Sequence, residues 1–81
     1  MMKPINLCIA FKNEYTGRMD SYAVHAPGGT NILSYANTPP RKGWKADVIL
    51  ACASQKEAEA VSEAWRKSYQ NNGTYASMYE S

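Results

Sequence analysis

Ser54-Gln55-Lys56-Glu57-Ala58-Glu59-Ala60-Val61-Ser62-Glu63-Ala64-Trp65-Arg66-Lys67-Ser68-Tyr69-Gln70-Asn71-Asn72-Gly73 is the stretch on which the reading of this chain turns. Ser54 with Glu57 three residues on forms a Ser-x-x-Glu capping box, which satisfies backbone donors that the first helical turn leaves free. Ala58, Val61, Ala64, Trp65 and Tyr69 recur at helical spacing, with Glu59, Glu63, Arg66 and Lys67 on the flanks and outer face, so the segment Gln55 to Asn71 reads as one amphipathic helix. Acidic residues early and basic residues late complement the helix dipole, and Asn72-Gly73 suits a left-handed cap.

A helix with one apolar stripe needs a surface to cover, and the residues before it supply strands. Ile5, Leu7, Ile9 and Phe11 alternate with Asn6, Cys8, Ala10 and Lys12, the period of two of a strand with one buried and one wetter face. The polar run Asn13 to Arg18, with Gly17, reads as a hairpin turn, and Met19 to Ala26 as a second strand in which Asp20, Tyr22, Val24 and Ala26 share a parity. Pro27-Gly28-Gly29 breaks it. A long irregular loop at about 27–44 follows, with a short strand or helical turn at Asn31 to Tyr35 as its one candidate element. Ala46 to Ala53 is apolar on both parities and is expected to run mid-sheet. Thr74 to Tyr79 alternates weakly and suggests a short last strand. The expected architecture is therefore α+β: a small antiparallel or mixed sheet of three to four strands with one helix on one face, in the order β-β-β-α-β.

Length and composition bound the function. Eighty-one residues hold one hydrophobic core, so the chain 1–81 is read as a single domain. With 44% hydrophobic and 20% charged residues the chain belongs with globular proteins rather than disordered or membrane ones. The longest apolar run, Val48 to Ala53, is much too short to span a bilayer, and no charged-apolar-cleavable leader is evident, so the expected compartment is the cytoplasm. There Cys8 and Cys52 are expected as free thiols within apolar runs, rather than as a disulfide.

Chemistry is sparsely represented. One histidine, His25, and two distant cysteines do not make a metal site, and a thiol in an apolar strand is a poor nucleophile, so neither metal, cofactor nor catalytic residue is expected. The carboxylates are scattered, with Asp47 at the head of a strand the only one singled out, for capping or pairing with Lys45. Pro27-Gly28-Gly29-Thr30 lacks the lysine and spacing of a phosphate loop and reads as a turn.

Two features suggest contacts. Arg41, Lys42, Trp44 and Lys45 gather three cations and an indole, and no acidic residue occurs from Ser21 to Ala46, although the formal net charge is only +2. This basic aromatic loop, together with Tyr35, is the candidate partner-binding surface, against the plainer alternative that Trp44 closes the core while its neighbours keep the loop soluble. Tyr75 and Tyr79, two of six tyrosines, are secondary candidates, since exposed tyrosine favours interfaces. The expected function is a small non-enzymatic protein that works by protein-protein contact, an accessory factor or inhibitor of the kind encoded by phages and mobile elements, by analogy of size and type alone. The alternative is a nucleic-acid-binding module in which Arg41, Lys42 and Lys45 track phosphates and Trp44 stacks on a base. A pocket lined by Tyr22, His25, Tyr35 and Trp44 is a third, weaker reading, and a homodimer through an edge strand remains open.

Overall fold

The computed structural model describes residues 3–34 and 40–80. Three antiparallel strands, β1 (Ile5–Asn13), β2 (Met19–Ala26) and β3 (Trp44–Cys52), precede the helix α1 (Gln55–Asn71). The spatial order is β2-β1-β3. The α+β architecture expected from the sequence is the one observed, with two corrections. β3 lies at an edge and β1 in the middle, because β1 pairs along nearly its whole length with both neighbours. The segment after α1 forms no strand: it meets the sheet through a single parallel bridge, Met19 to Tyr75.

The hairpin turn is built by Asn13, whose side-chain Oδ1 accepts from the N–H groups of Tyr15 and Thr16, while Gly17 takes φ +75° to bring the chain back. At the helix start the Ser54 hydroxyl accepts from Glu57 N–H at 3.1 Å. At its end Thr74 N–H reaches Tyr69 C=O and Gly73 N–H reaches Gln70 C=O with Gly73 at φ +72°, the paired bonds of a Schellman cap. The last turn itself contains no basic residue; Arg66 and Lys67 stand one turn earlier.

The two faces of β1 are both buried, Leu7 through Phe11 without a break. Their coverings differ. Leu7, Ile9 and Phe11 cluster with Trp44 and Met78, and Tyr22, Val24, Ile32, Ala46, Ile49 and Ala76 pack around them. No residue of α1 belongs to this cluster. The helix instead lies over β2 and β1 on the opposite, small-residue side, that of Cys8, Ala10, Ser21 and Ala23, where it buries Ala58 and Ser62. Small residues on both partners let the helix approach the sheet closely. Ser62, absent from the expected apolar stripe, takes the central place there because its hydroxyl donates to Glu59 C=O within its own helix. Ala64, which the stripe included, is exposed.

The large-residue face is closed by the segment after the helix, strapped along β2. Met19 N–H donates to Thr74 C=O and Ala76 N–H to Met19 C=O, and the Arg18 guanidinium donates to the carbonyls of Gly73 and Tyr75. Deeper in, Asp20 is fully buried; its carboxylate accepts Ser21 N–H at 2.7 Å and Met78 N–H at 2.8 Å and so fixes the methionine that plugs the core. Tyr79 rests edge-on against Tyr22, ring centroids 5.1 Å apart.

Two stability outcomes follow from this division of labour. Asp20→Ala leaves the buried N–H groups of Ser21 and Met78 without their acceptor and should cost about 1–3 kcal/mol in urea unfolding. Ser54→Ala should cost about 1 kcal/mol through the lost cap. Equal effects of the two substitutions would mean that the strap contributes no more than an exposed helix end.

Candidate functional site: the open edge of the sheet

Met19 fixes the direction of the backbone groups along each strand. Both its N–H and its C=O bond to the segment 74–76, away from β1. With a period of two, Ser21, Ala23 and His25 also point outward, and the Arg66 guanidinium indeed donates to Ser21 C=O. Asp20, Tyr22, Val24 and Ala26 therefore carry the ladder to β1, which leaves Asn6, Cys8 and Ala10 of β1 to bond across to Cys52, Leu50 and Val48. It follows that Ile49 and Ala51 direct their N–H and C=O groups at the free side of β3.

The two edges are thus managed differently. That of β2 is capped at Met19 by the strap and at Ser21 by Arg66, which also lies over the Tyr22 ring at 5.4 Å. That of β3 is protected only in its first half, where the pairing slips between Ala10 and Phe11, leaving Asp47 as the extra, bulged residue beside Lys45. From Val48 to Cys52 the strand is regular, uncharged and free of proline, and no described segment pairs with its outer side. Val48 is 47% exposed and Leu50 42%, both on the sheet face that α1 covers over β2 and β1 but scarcely over β3. Glu59, Ser62, Glu63 and Arg66 line a shallow cavity of about 350 Å³ with Tyr22 and Ala23, which fixes that flank of the helix toward β2. At roughly 100° per residue, Val61 and Trp65 then lie on the flank toward β3.

The expected basic aromatic loop divides when placed in space. Arg41, Lys42 and Lys45 are exposed as expected. Trp44 is not: it belongs to the core cluster at 7% exposure, because the strand pairing Asn13 with Trp44 turns the indole to the same face as Phe11. As placed, the indole is a core residue and is not offered to a base or a partner. Beside it Gly43 takes φ +88°, with Tyr15 packed where a side chain would begin. Tyr35 lies outside the described residues. Tyr75 is half-buried in the strap and Tyr79 is 52% exposed. The expected pocket of Tyr22, His25, Tyr35 and Trp44 does not assemble from its described members: Tyr22 is held between Tyr79 and Arg66 on the large-residue face, His25 has the opposite parity and its Nδ1 pairs with Asn6 Oδ1 at 2.9 Å, and Trp44 is in the core. Of the candidate element at Asn31 to Tyr35, a helical turn is present through Ser34, with Asn31 accepting from Leu33 and Ser34.

Among the described residues no three His, Cys, Asp or Glu side chains converge as a metal site would require. Asp47 makes no ion pair with Lys45; the pair that does form is Lys67 with Glu63 on the outer face of the helix. The carboxylate that matters is Asp20, and its shared parity with Tyr22 and Val24 was the sequence signal that it points inward. Both cysteines are free thiols. Cys8 pairs with Leu50 and Cys52 with Asn6, so the two are diagonal neighbours on one face, a placement too distant for a disulfide without backbone movement. Burial pushes the Cys8 thiol up, against a smaller opposing effect of the Ser21 hydroxyl, and Cys52 is raised by its local desolvation and by Glu57 nearby. Compared with protein families, characterised proteins and solved structures, the chain matches none.

A labelling outcome follows from the thiols. At neutral pH iodoacetamide should modify Cys52 in the native protein well before Cys8, and the two should react alike in guanidinium, as read by peptide mass spectrometry. Native Cys8 reacting as fast as Cys52 would mean that α1 does not hold the small-residue face closed.

Proposed function

We propose that this chain is a small non-enzymatic binding protein that acts through protein-protein contacts, made chiefly by the outer side of β3. The observation that supports this most is the coincidence of three things over Val48 to Cys52: outward backbone groups at Ile49 and Ala51, two exposed aliphatic side chains, and a stretch without charge or proline that no segment among the described residues covers. An edge of that kind recognises an extended segment by continuing the ladder, with Val48 and Leu50 adding apolar contact on one face. The raised Cys8 thiol fits a packing residue rather than a nucleophile, which supports a role without catalysis. No helix among the described residues is long and apolar enough to cross a membrane, and the reading places the protein in the cytoplasm, as an accessory factor or inhibitor.

The nucleic-acid reading keeps its phosphate-tracking cations, Arg41, Lys42 and Lys45, but has Trp44 in the core instead of on a base. The two readings separate in one experiment. Tagged protein is used to capture partners from a bacterial lysate with and without nuclease, beside a Val48→Lys, Leu50→Lys variant and an Arg41→Ala, Lys42→Ala, Lys45→Ala variant, all shown by circular dichroism to be folded. The expected result is a captured protein that survives nuclease, is lost by at least tenfold in the β3 variant and is retained in the loop variant. Capture abolished by nuclease and by the loop substitutions would overturn the proposal in favour of nucleic acid.

A further inference from the structure

Resting on the reading of β3 as a docking edge, we infer that the segment Val48–Cys52 pairs with the same segment of a second copy of this chain, antiparallel about a two-fold axis at Leu50. The register is set by the strand itself. Only Ile49 and Ala51 send backbone groups outward from the regular half of β3, and the bulge at Asp47 ends that regular half. A two-fold at Leu50 sets Ile49 opposite Ala51 of the second copy, and Ala51 opposite its Ile49. Every outward N–H and C=O of the regular segment is then used, four hydrogen bonds in all by the antiparallel rule. Shifting the axis to Val48 or Ile49 forces Asp47 into the ladder instead.

Side chains agree with that register. Leu50 meets its own counterpart at a non-hydrogen-bonded position, where opposed side chains come closest, and Val48 lies opposite Cys52. The two exposed large apolar residues of the strand are thereby covered on the α1 side, while on the other face large Ile49 faces small Ala51. Because α1 sits over β2 and β1, it leaves this strip clear, and the two helices flank it on one face of a continuous six-stranded sheet. Charge agrees as well. Antiparallel pairing brings the exposed cations Lys42 and Lys45 at the start of β3 toward the start of α1 in the second copy, where Glu57 stands close enough to Cys52 to raise its thiol.

The test combines mass with register. Sedimentation from micromolar to millimolar concentration should show the 9.0 kDa chain approaching twice that mass, and Leu50→Lys should keep it monomeric. Ala51→Pro, whose lost N–H points out of the sheet, should do the same without unfolding it. In a Cys52→Ser background, Leu50→Cys should form a disulfide-linked dimer in air at least tenfold faster than Val48→Cys or Tyr15→Cys. A wild-type chain that stays monomeric throughout, or cross-linking no faster at 50 than at the exposed position 15, would overturn self-pairing. For a chain found monomeric, loss of the captured lysate protein in the Val48→Lys, Leu50→Lys variant would make β3 an edge for a foreign strand, so that only self-pairing fails. Faster cross-linking at 48 than at 50 would overturn the register.

Discussion

The central position of β1, with both faces out of water from Leu7 to Phe11, is the constraint that shapes the rest of the molecule. A single helix covers only one face of a three-stranded sheet, and here it covers the side with the smaller residues. Leu7, Ile9 and Phe11, which have the greater need of cover, are left for other parts of the chain to close. The closure comes from Trp44 at the head of β3, Ile32 in the connection and Met78 beyond the helix. A chain of this length reaches a two-sided core by using its connecting and terminal segments as a third layer.

That solution explains the polar residue in the interior. Asp20 occupies an inward position on β2 opposite Phe11, where an aliphatic residue would satisfy the pattern. Its carboxylate binds two backbone N–H groups, one local and one 58 residues away in sequence, so it ties the strap to the sheet at a defined register. The Arg18 guanidinium and the Met19 backbone hold the same segment nearer the surface. The strap thereby caps part of the β2 edge while it closes the core, and Arg66 extends the capping from the helix. Among the described residues the edge of β3 receives no equivalent beyond its bulge. Exposure of Val48 and Leu50 is thus the counterpart of a helix displaced toward β2, and the functional proposal grows from this asymmetry.

The elements themselves were legible in local pattern. Helix limits, the Ser54 cap, the Gly73 stop and the alternation of β1 all depend on neighbours within a few residues, and these are interactions a linear reading can evaluate. The candidate site was less so. Trp44 adjoins Arg41, Lys42 and Lys45 in sequence, but strand geometry turns adjacent side chains to opposite faces and the indole points inward. Ala46 to Ala53 looked central because it is apolar on both parities, a composition that also arises when an edge strand is left partly bare. Ser62 stands outside any apolar stripe, yet a serine that bonds its own helix can be buried where a close approach is wanted.

By itself, then, the sequence determined the α+β class, the helix with its two caps and the hairpin, because each is written in short-range spacing or composition. Only the tertiary structure decided which strand is central, which face the helix takes, that Asp20 holds the terminal strap, and that Val48 and Leu50 rather than Trp44 are offered to solvent. Those outcomes depend on pairing between residues far apart in the chain, where the competing arrangements share the same local pattern and differ only in how much surface each leaves uncovered.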